Sequence, residues 1–288
     1  MRVPRTGLKS TIRQPIERVL ELADERAALR DKTSPATKIG LRSLWHDYRG
    51  RTVAGGPLPD VWDTGFRVFS QFDEDGVILF LLAVAAAKTN RFVDIGAGDG
   101  VLASNTANLA TNLGFDGLFV EARAEAVASG ERFYRQHPDT REQPPRFVNA
   151  FVTREAINEV VGGAGFDGEI DVLSIDIDGN DYWIWEALTC VQPRLVVVEA
   201  HTELGLTDFV APYDAAFTWR QVASGTPIGA SGPAFTKLAE RLGYRLVGAN
   251  LYGFNLFYLR NDVGADVVPT IEVAEIFRHG SYRRLQEP

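Results

Sequence analysis

This chain of 288 residues contains little cysteine, methionine or histidine, with one, one and four of them respectively. The lone Cys190 excludes a disulfide within the chain, and the sequence has no cysteine and histidine cluster for a structural zinc site. The longest apolar run, 77–87, has 11 residues, which is too short to span a bilayer. No apolar signal-peptide segment follows the first arginines, so a cytoplasmic location without membrane association is the default expectation.

The net charge of −8 is unevenly distributed along the chain. Residues 1–51 carry 12 Lys and Arg against 6 Asp and Glu, whereas the remainder carries 18 against 32. Contacts to phosphates need clustered cations, so the acidic main part argues against nucleic acid as a partner. The basic N-terminal part is either a solvated helical extension or a contact for an anionic partner, such as a neighbouring subunit.

Apolar residues at helical spacing within 12–30 predict an amphipathic helix. Its apolar stripe needs a partner, which is either the main domain or the same helix of a second copy in a homo-oligomer. Residues 51–63 contain two glycines and two prolines and are interpreted as a linker. We therefore divide the chain into an N-terminal helical extension with linker, 1–65, and a main domain, 66–288.

Strand and helix patterns alternate through the main domain. Three acids precede an apolar helix at 77–87, and further helices are predicted at 104–113, 123–134, 181–188 and 232–242. Strands are predicted at 91–95, 117–121, 146–152, 170–177, 194–200, 244–247 and 255–260. This alternation predicts a Rossmann-like α/β fold, in which a seven-stranded, mostly parallel sheet has helices on both faces and an antiparallel C-terminal hairpin.

The most informative segment is 92–100, which reads FVDIGAGDG and follows the first strand into a turn with glycines at alternate positions. Glycine lets the backbone turn tightly and approach a ligand closely. The second strand ends on Glu121, 21 positions after Gly100, where an acid can accept hydrogen bonds from both ribose hydroxyls. The pattern predicts a nucleotide site, with a simple reversal of the chain as the alternative.

The spacing of the glycines distinguishes between nucleotides. Dinucleotide sites read GxGxxG, whereas here the residue three after Gly98 is Val101. The D-x-G-x-G-x-G pattern resembles motif I of the class I S-adenosylmethionine (SAM) methyltransferases, with Glu121 matching their ribose-binding acid. The resemblance implies SAM as the cofactor, bound by Asp94, Gly96, Gly98, Gly100 and Glu121. An NAD(P)-dependent oxidoreductase and a non-catalytic SAM-binding or scaffolding protein are the alternatives.

Other cofactor contacts are expected where the strands end, because ligands of open α/β sheets lie at the carboxyl ends of the strands. Asn149, near the end of the third strand, is predicted to contact the adenine edge, with a capping role as the alternative. Asp176, at the end of the fourth strand, is another cofactor candidate. Gln71 and Asp73, which precede the glycine turn, are candidates for the methionine end.

Acidic residues follow two strands of the predicted sheet. Asp176 and Asp178 point to one face by strand alternation, and their charges repel unless a cation, a sulfonium or a hydrogen-bonding loop offsets them. Glu199 ends the next strand along the chain. Carboxylate oxygens suit Mg²⁺, Mn²⁺ or Ca²⁺, so Asp176, Asp178 and Glu199 are predicted metal ligands.

The segment 175–181, IDIDGND, resembles the fourth-strand motif of FkbM-like methyltransferases and of sugar and macrolide O-methyltransferases, and 229–260 resembles the C-terminal part of FkbM-like proteins. In several metal-dependent members, an acid after the fourth strand and an acidic or amide pair after the fifth hold Mg²⁺. The resemblance implies metal-assisted methyl transfer to a hydroxyl of a small molecule, such as a sugar or glycosylated natural product. Ala200 after Glu199 departs from the paired pattern.

Methylation of an alcohol also requires removal of a proton, by a base or with the help of a metal. His201, just past the fifth strand, is the preferred base, because histidine exchanges protons near neutral pH. Asp181 is the second candidate; a surface position for His201 and a helix N-cap for Asp181 are the alternatives. The long connection 203–231 is rich in aromatic residues and predicts a lid over the acceptor.

Overall fold

The computed structural model describes residues 29–218 and 228–279. The strands are β1 (Arg91–Ile95), β2 (Asp116–Glu121), β3 (Arg146–Asn149), β4 (Gly168–Ile175), β5 (Val191–Glu199), β6 (Tyr244–Ala249) and β7 (Asn255–Arg260). The main α-helices are α1 (Pro35–Ala54), α2 (Glu74–Val84), α3 (Ala107–Leu113), α4 (Ala124–Gln136), α5 (Ile157–Gly163), α6 (Asp181–Ala187), α7 (Gly232–Leu242) and α8 (Val273–Arg278).

The strands form one seven-stranded sheet in the order β3-β2-β1-β4-β5-β7-β6. Strands β1 to β5 are mutually parallel, β7 runs antiparallel to β5, and β6 pairs with β7 as the terminal hairpin. The predicted Rossmann-like fold is confirmed. Strand order reverses between β1 and β4, so the crevice for a ligand is expected outside the carboxyl ends of these two strands.

The central strands are apolar on both faces because helices cover both faces of the sheet. One apolar cluster joins Val93 and Leu173 to α5, α6 and α7, and a second joins Phe92 and Val197 to α2, α3 and α4. Helix α1 packs on the second side, where the Tyr48 ring meets Phe80 edge-on. Among the described residues, no helix is both long and apolar enough to cross a membrane.

Several element boundaries differ from the sequence predictions. The linker predicted at 51–63 begins inside α1, which continues to Ala54 and ends at the left-handed Gly55. Helices α1, α5 and α8 were not predicted. The predicted N-terminal helix at 12–30 lies largely outside the described residues, so its role in an oligomer stays a prediction.

Two of the three acids before the apolar helix, Glu74 and Asp75, are part of α2, which begins at Glu74 rather than at residue 77. Their carboxylates are buried and accept hydrogen bonds from neighbouring segments. Asp75 Oδ2 accepts the backbone N–H groups of residues 68–70, and Glu74 Oε1 accepts the side-chain amides of Asn250 and Asn255. The helix start therefore holds the preceding loop and the terminal hairpin together.

Candidate functional site

A cavity of about 460 Å³ lies at the reversal of strand order. Its walls are formed by Gly96, Asn180 and the segments 120–123, 150–152, 176–178 and 217–218. A more open depression of about 500 Å³ lies beside β3, next to Arg135 and Arg146, and its walls contain none of the predicted site residues. The first cavity is therefore the candidate site.

The glycine turn needs glycine for conformation and for space. Gly96, Gly98 and Gly100 have φ values of +85°, +60° and +65°, in the left-handed region that side chains disfavour. A Cβ on Gly96 would lie 1.8 Å from the carbonyl oxygen of Asp176. The hydroxyl of Tyr134, in α4, donates to the carbonyl oxygen of Gly100 at 2.5 Å. The turn thus approaches β4 closely, and Gly96 itself lines the cavity.

Glu121 lies at the tip of β2 and faces this turn, as the spacing predicted. Its side chain is buried, and Oε2 accepts the N–H of Gly98 at 2.9 Å. Oε1 accepts the backbone N–H and the Nε of Arg123, at 2.8 and 3.0 Å. Arg123 is a wall residue that the sequence analysis did not select, although a cation two positions after the acid could have indicated it.

Asp94 lies beneath the glycine turn and is 4% exposed. Its Oδ2 accepts the hydroxyl of Thr106 at 2.6 Å, which connects the end of β1 to the start of α3. Burial raises the pKa of this carboxyl to about 6, although the Thr106 and Ser174 hydroxyls act in the opposite direction. In this position Asp94 supports the turn from below the cavity.

The remaining cofactor candidates differ in position. Asp176 lines the cavity. Asn149 ends β3, and its side-chain amide donates to the carbonyl oxygens of Glu121 and Ala122, at 2.9 Å each, which matches the alternative capping role. Gln71 is exposed beside Ser70, which forms a β-bridge with Ala103 after the glycine turn. Asp73 accepts the N–H of Leu251 in the terminal hairpin.

Asp176, Asp178 and Glu199 come together as predicted, with carboxylate oxygens within 4.8 Å of one another. Burial and then Glu199 raise the pKa of Asp176 well above its usual value. Burial, followed by the Asp181 and Asp178 charges, raises the pKa of Glu199 to about 7. The residue Asp178 has φ +59°, a conformation that is strained for a side chain other than glycine. This cluster needs a proton or a cation to offset its charge.

Asp181 is the first residue of α6 and is fully engaged with the loop before it. Its two oxygens accept the N–H groups of Ile177 and Gly179, both at 2.8 Å. Burial raises the pKa of Asp181, and these two N–H groups oppose the shift. The carboxylate thus folds the acidic loop back on itself, which also explains why β4 ends at Ile175 and not at residue 177.

His201 follows β5, and its Nδ1 lies 2.7 Å from Oε1 of Glu203. The other edge of the ring packs against Gly229, where a Cβ would lie 2.6 Å from Nε2. The side chain is 17% exposed. The Glu203 carboxylate on Nδ1 thus orients the imidazole, Gly229 covers the Nε2 edge of the ring, and His201 is not among the residues that line the candidate cavity.

No protein family profile and no curated protein sequence matches this chain. Similar solved structures include magnesium protoporphyrin IX methyltransferase from Synechocystis with bound SAM, at 14% identity and a TM-score of 0.41, covering 76% of this chain and 97% of that one. Another is a putative O-methyltransferase from Klebsiella pneumoniae, at 13% identity and a TM-score of 0.39, covering 76% and 88%. A third is a SAM-dependent methyltransferase from Clostridium acetobutylicum, at 10% identity and a TM-score of 0.41, covering 76% and 97%. These values are too low to support an argument about function, which therefore rests on this chain's own residues.

The raised pKa of Asp94 predicts a pH-dependent cost to stability. Between its usual value of 3.8 and about 6, the folded chain holds a proton that the unfolded chain releases, so stability falls as pH rises through this window. The free energy of unfolding, measured with urea, should fall between pH 5 and pH 8 by about 1 kcal/mol more for wild type than for Asp94→Asn. Identical pH dependence in the two proteins would contradict the assignment.

Proposed function

We propose that this chain is a SAM-dependent O-methyltransferase that acts on a hydroxyl of a small molecule, such as a sugar or a glycosylated natural product. The observation that carries the proposal is the Glu121 carboxylate, which lines the candidate cavity and is bonded to the glycine turn. Such an acid can accept the ribose hydroxyls of an adenosyl group. The cavity volume of about 460 Å³ lies in the range of small-molecule sites.

The local backbone disfavours a dinucleotide cofactor. A pyrophosphate is normally held at the N-terminus of the helix that directly follows the glycine turn. Here α3 begins at Ala107, seven residues after Gly100, and the intervening chain is irregular. The antiparallel position of β7 beside β5 also agrees with the methyltransferase resemblance. Both features favour SAM over NAD(P).

Methyl transfer asks little of the protein beyond positioning and proton removal. SAM, when bound, supplies a methyl group that a sulfonium already makes electrophilic. We assign the role of base to His201, oriented by Glu203, because an imidazole held in this way can accept the proton of the acceptor hydroxyl. Asp181 is less suited, since both its oxygens already accept backbone N–H groups.

The acidic cluster fits a divalent cation by its chemistry. Three carboxylates within 4.8 Å supply the oxygen-only donor set that Mg²⁺ prefers, and burial together with the neighbouring carboxylates raises the pKa of Asp176 and of Glu199. Asp176, Asp178 and Glu199 would hold the ion. Such an ion would lower the cost of deprotonating the acceptor hydroxyl.

Calorimetry with S-adenosylhomocysteine (SAH) tests the cofactor. We expect SAH to bind, and Glu121→Ala to weaken it roughly tenfold or more, because hydrogen bonds to a charged partner are lost. Glu125→Ala, an exposed acid in the first turn of α4, is the matched control and should bind normally. Binding of NADH in place of SAH would refute the proposal.

Substitution of His201 tests the base. His201→Ala should lower methyl transfer to a pool of hydroxylated acceptors by roughly a hundredfold, while SAH affinity stays within about twofold of wild type. Glu203→Gln should cause a smaller loss and displace the pH–rate profile. The exposed His46 on α1 provides the control, His46→Ala. Near-normal turnover of His201→Ala would eliminate this role.

Metal removal tests the acidic cluster. Turnover should disappear after EDTA treatment and gel filtration and should return with Mg²⁺. Asp176→Asn should require more Mg²⁺ for half-maximal recovery, whereas Asp116→Asn, at the opposite end of the sheet, should not. Full activity after EDTA would remove the metal from the mechanism.

A further inference from the structure

The connection between β5 and α7 is attached to the elements that frame the candidate cavity. Asn180 Nδ2 donates to the carbonyl of Asp214, and Trp183 Nε1 donates to the carbonyl of Ala211, both at 2.9 Å. Asn180 itself lines the cavity, and Trp183 is on α6 directly behind it. These bonds hold the segment 211–214 over the start of α6.

A second attachment reaches the chain beyond β3, on another side of the cavity. The Tyr213 hydroxyl donates to Glu155 at 2.7 Å and accepts the backbone N–H of Arg154 at 3.1 Å. The Arg154 guanidinium lies 5.3 Å from the ring centroids of both Tyr213 and Trp183. Tyr213 therefore bridges the loop after β3 and the helix after β4.

These attachments place Phe217 in the wall of the cavity. A turn in which Phe217 N–H donates to the Asp214 carbonyl, at 3.0 Å, directs the chain toward the acidic loop. The Phe217 ring packs against Gly179, where a Cβ would lie 2.2 Å from the ring. Thr218 follows it in the same wall. Any side chain at position 179 would displace the ring, so the acidic loop is shaped to receive Phe217.

The cavity has another aromatic wall residue, Phe151, which follows β3. Phe151 is 51% exposed, so much of its apolar surface is accessible to a ligand. Glu121 and Asn149 are partners in the parallel register of β2 and β3. Phe151, two residues after Asn149, therefore lies close to the tip of β2. Two aromatic rings therefore line the same cavity as the carboxylates of Glu121, Asp176 and Asp178. An aromatic wall beside an acid that can accept ribose hydroxyls suits a nucleoside.

We propose that Phe217 contacts the purine base of the cofactor and, together with Phe151, forms the aromatic part of its binding site. This inference rests on the proposed function, because it assumes an adenosyl cofactor whose ribose is held by Glu121. The segment 211–218 then belongs to the cofactor site, whereas the sequence pattern predicts that the whole connection covers the acceptor. The acceptor then approaches from the side of Glu199 and His201.

Calorimetry with two probes, SAH and adenosine, tests the contact. Phe217→Ala should weaken both probes by roughly the same factor, tenfold or more, because loss of an aromatic ring against a base typically costs this much. Phe217→Leu should give an intermediate loss, and Phe217→Trp should restore binding. Leu206→Ala, an exposed apolar residue of the same connection that lies outside the cavity wall, should remain within about twofold of wild type.

The outcomes separate this inference from the proposed function. Normal SAH binding by Phe217→Ala would overturn the contact while leaving the proposed function intact, as would weaker SAH binding with unchanged adenosine binding. Failure of wild type to bind either probe would overturn the proposed function and this inference with it. Thermal melting shows whether each variant is folded. If Phe217→Ala does not fold, Phe217→Leu tests the contact with the base in its place.

Discussion

The carboxylate of Glu121 joins the segments on which the candidate site depends. It accepts the N–H of Gly98 in the turn after β1 and two N–H groups of Arg123 at the start of α4. This one buried carboxylate binds both the glycine turn and Arg123. The turn, the tip of β2 and the start of α4 are therefore held together as one wall of the cavity. The same oxygens are proposed to receive the ribose hydroxyls, so a single side chain determines both loop geometry and cofactor binding.

The opposite wall is held by a different acid. Asp181 turns the loop after β4 back on itself, and this brings Asp176 and Asp178 toward Glu199. Three carboxylates at this distance repel one another, and burial adds to the cost of charging Asp176 and Glu199. Within the part of the chain that the structure describes, no basic side chain is bonded to any of these three acids. The cluster is therefore suited to bind a cation or to share a proton. Under the proposed function, one wall of the site would bind the nucleoside of the cofactor and the other would act on the acceptor hydroxyl.

The fold and the first wall could be predicted from the sequence because each depends on short, local patterns. Alternating strands and helices predicted the observed sheet, and the pattern with Gly96 and Glu121 predicted two residues that line the candidate cavity. Contacts between distant segments could not be predicted in this way. Phe217 reaches the cavity through a turn and through bonds to α6, so its position is not encoded in a local pattern.

A crystal structure of the chain with SAH bound tests the central claim most directly. The account predicts density in the cavity at the reversal of strand order, with both ribose hydroxyls donating to the Glu121 carboxylate and the purine lying against Phe217 and Phe151. Density for SAH elsewhere, or in this cavity with its ribose away from Glu121, would contradict the account.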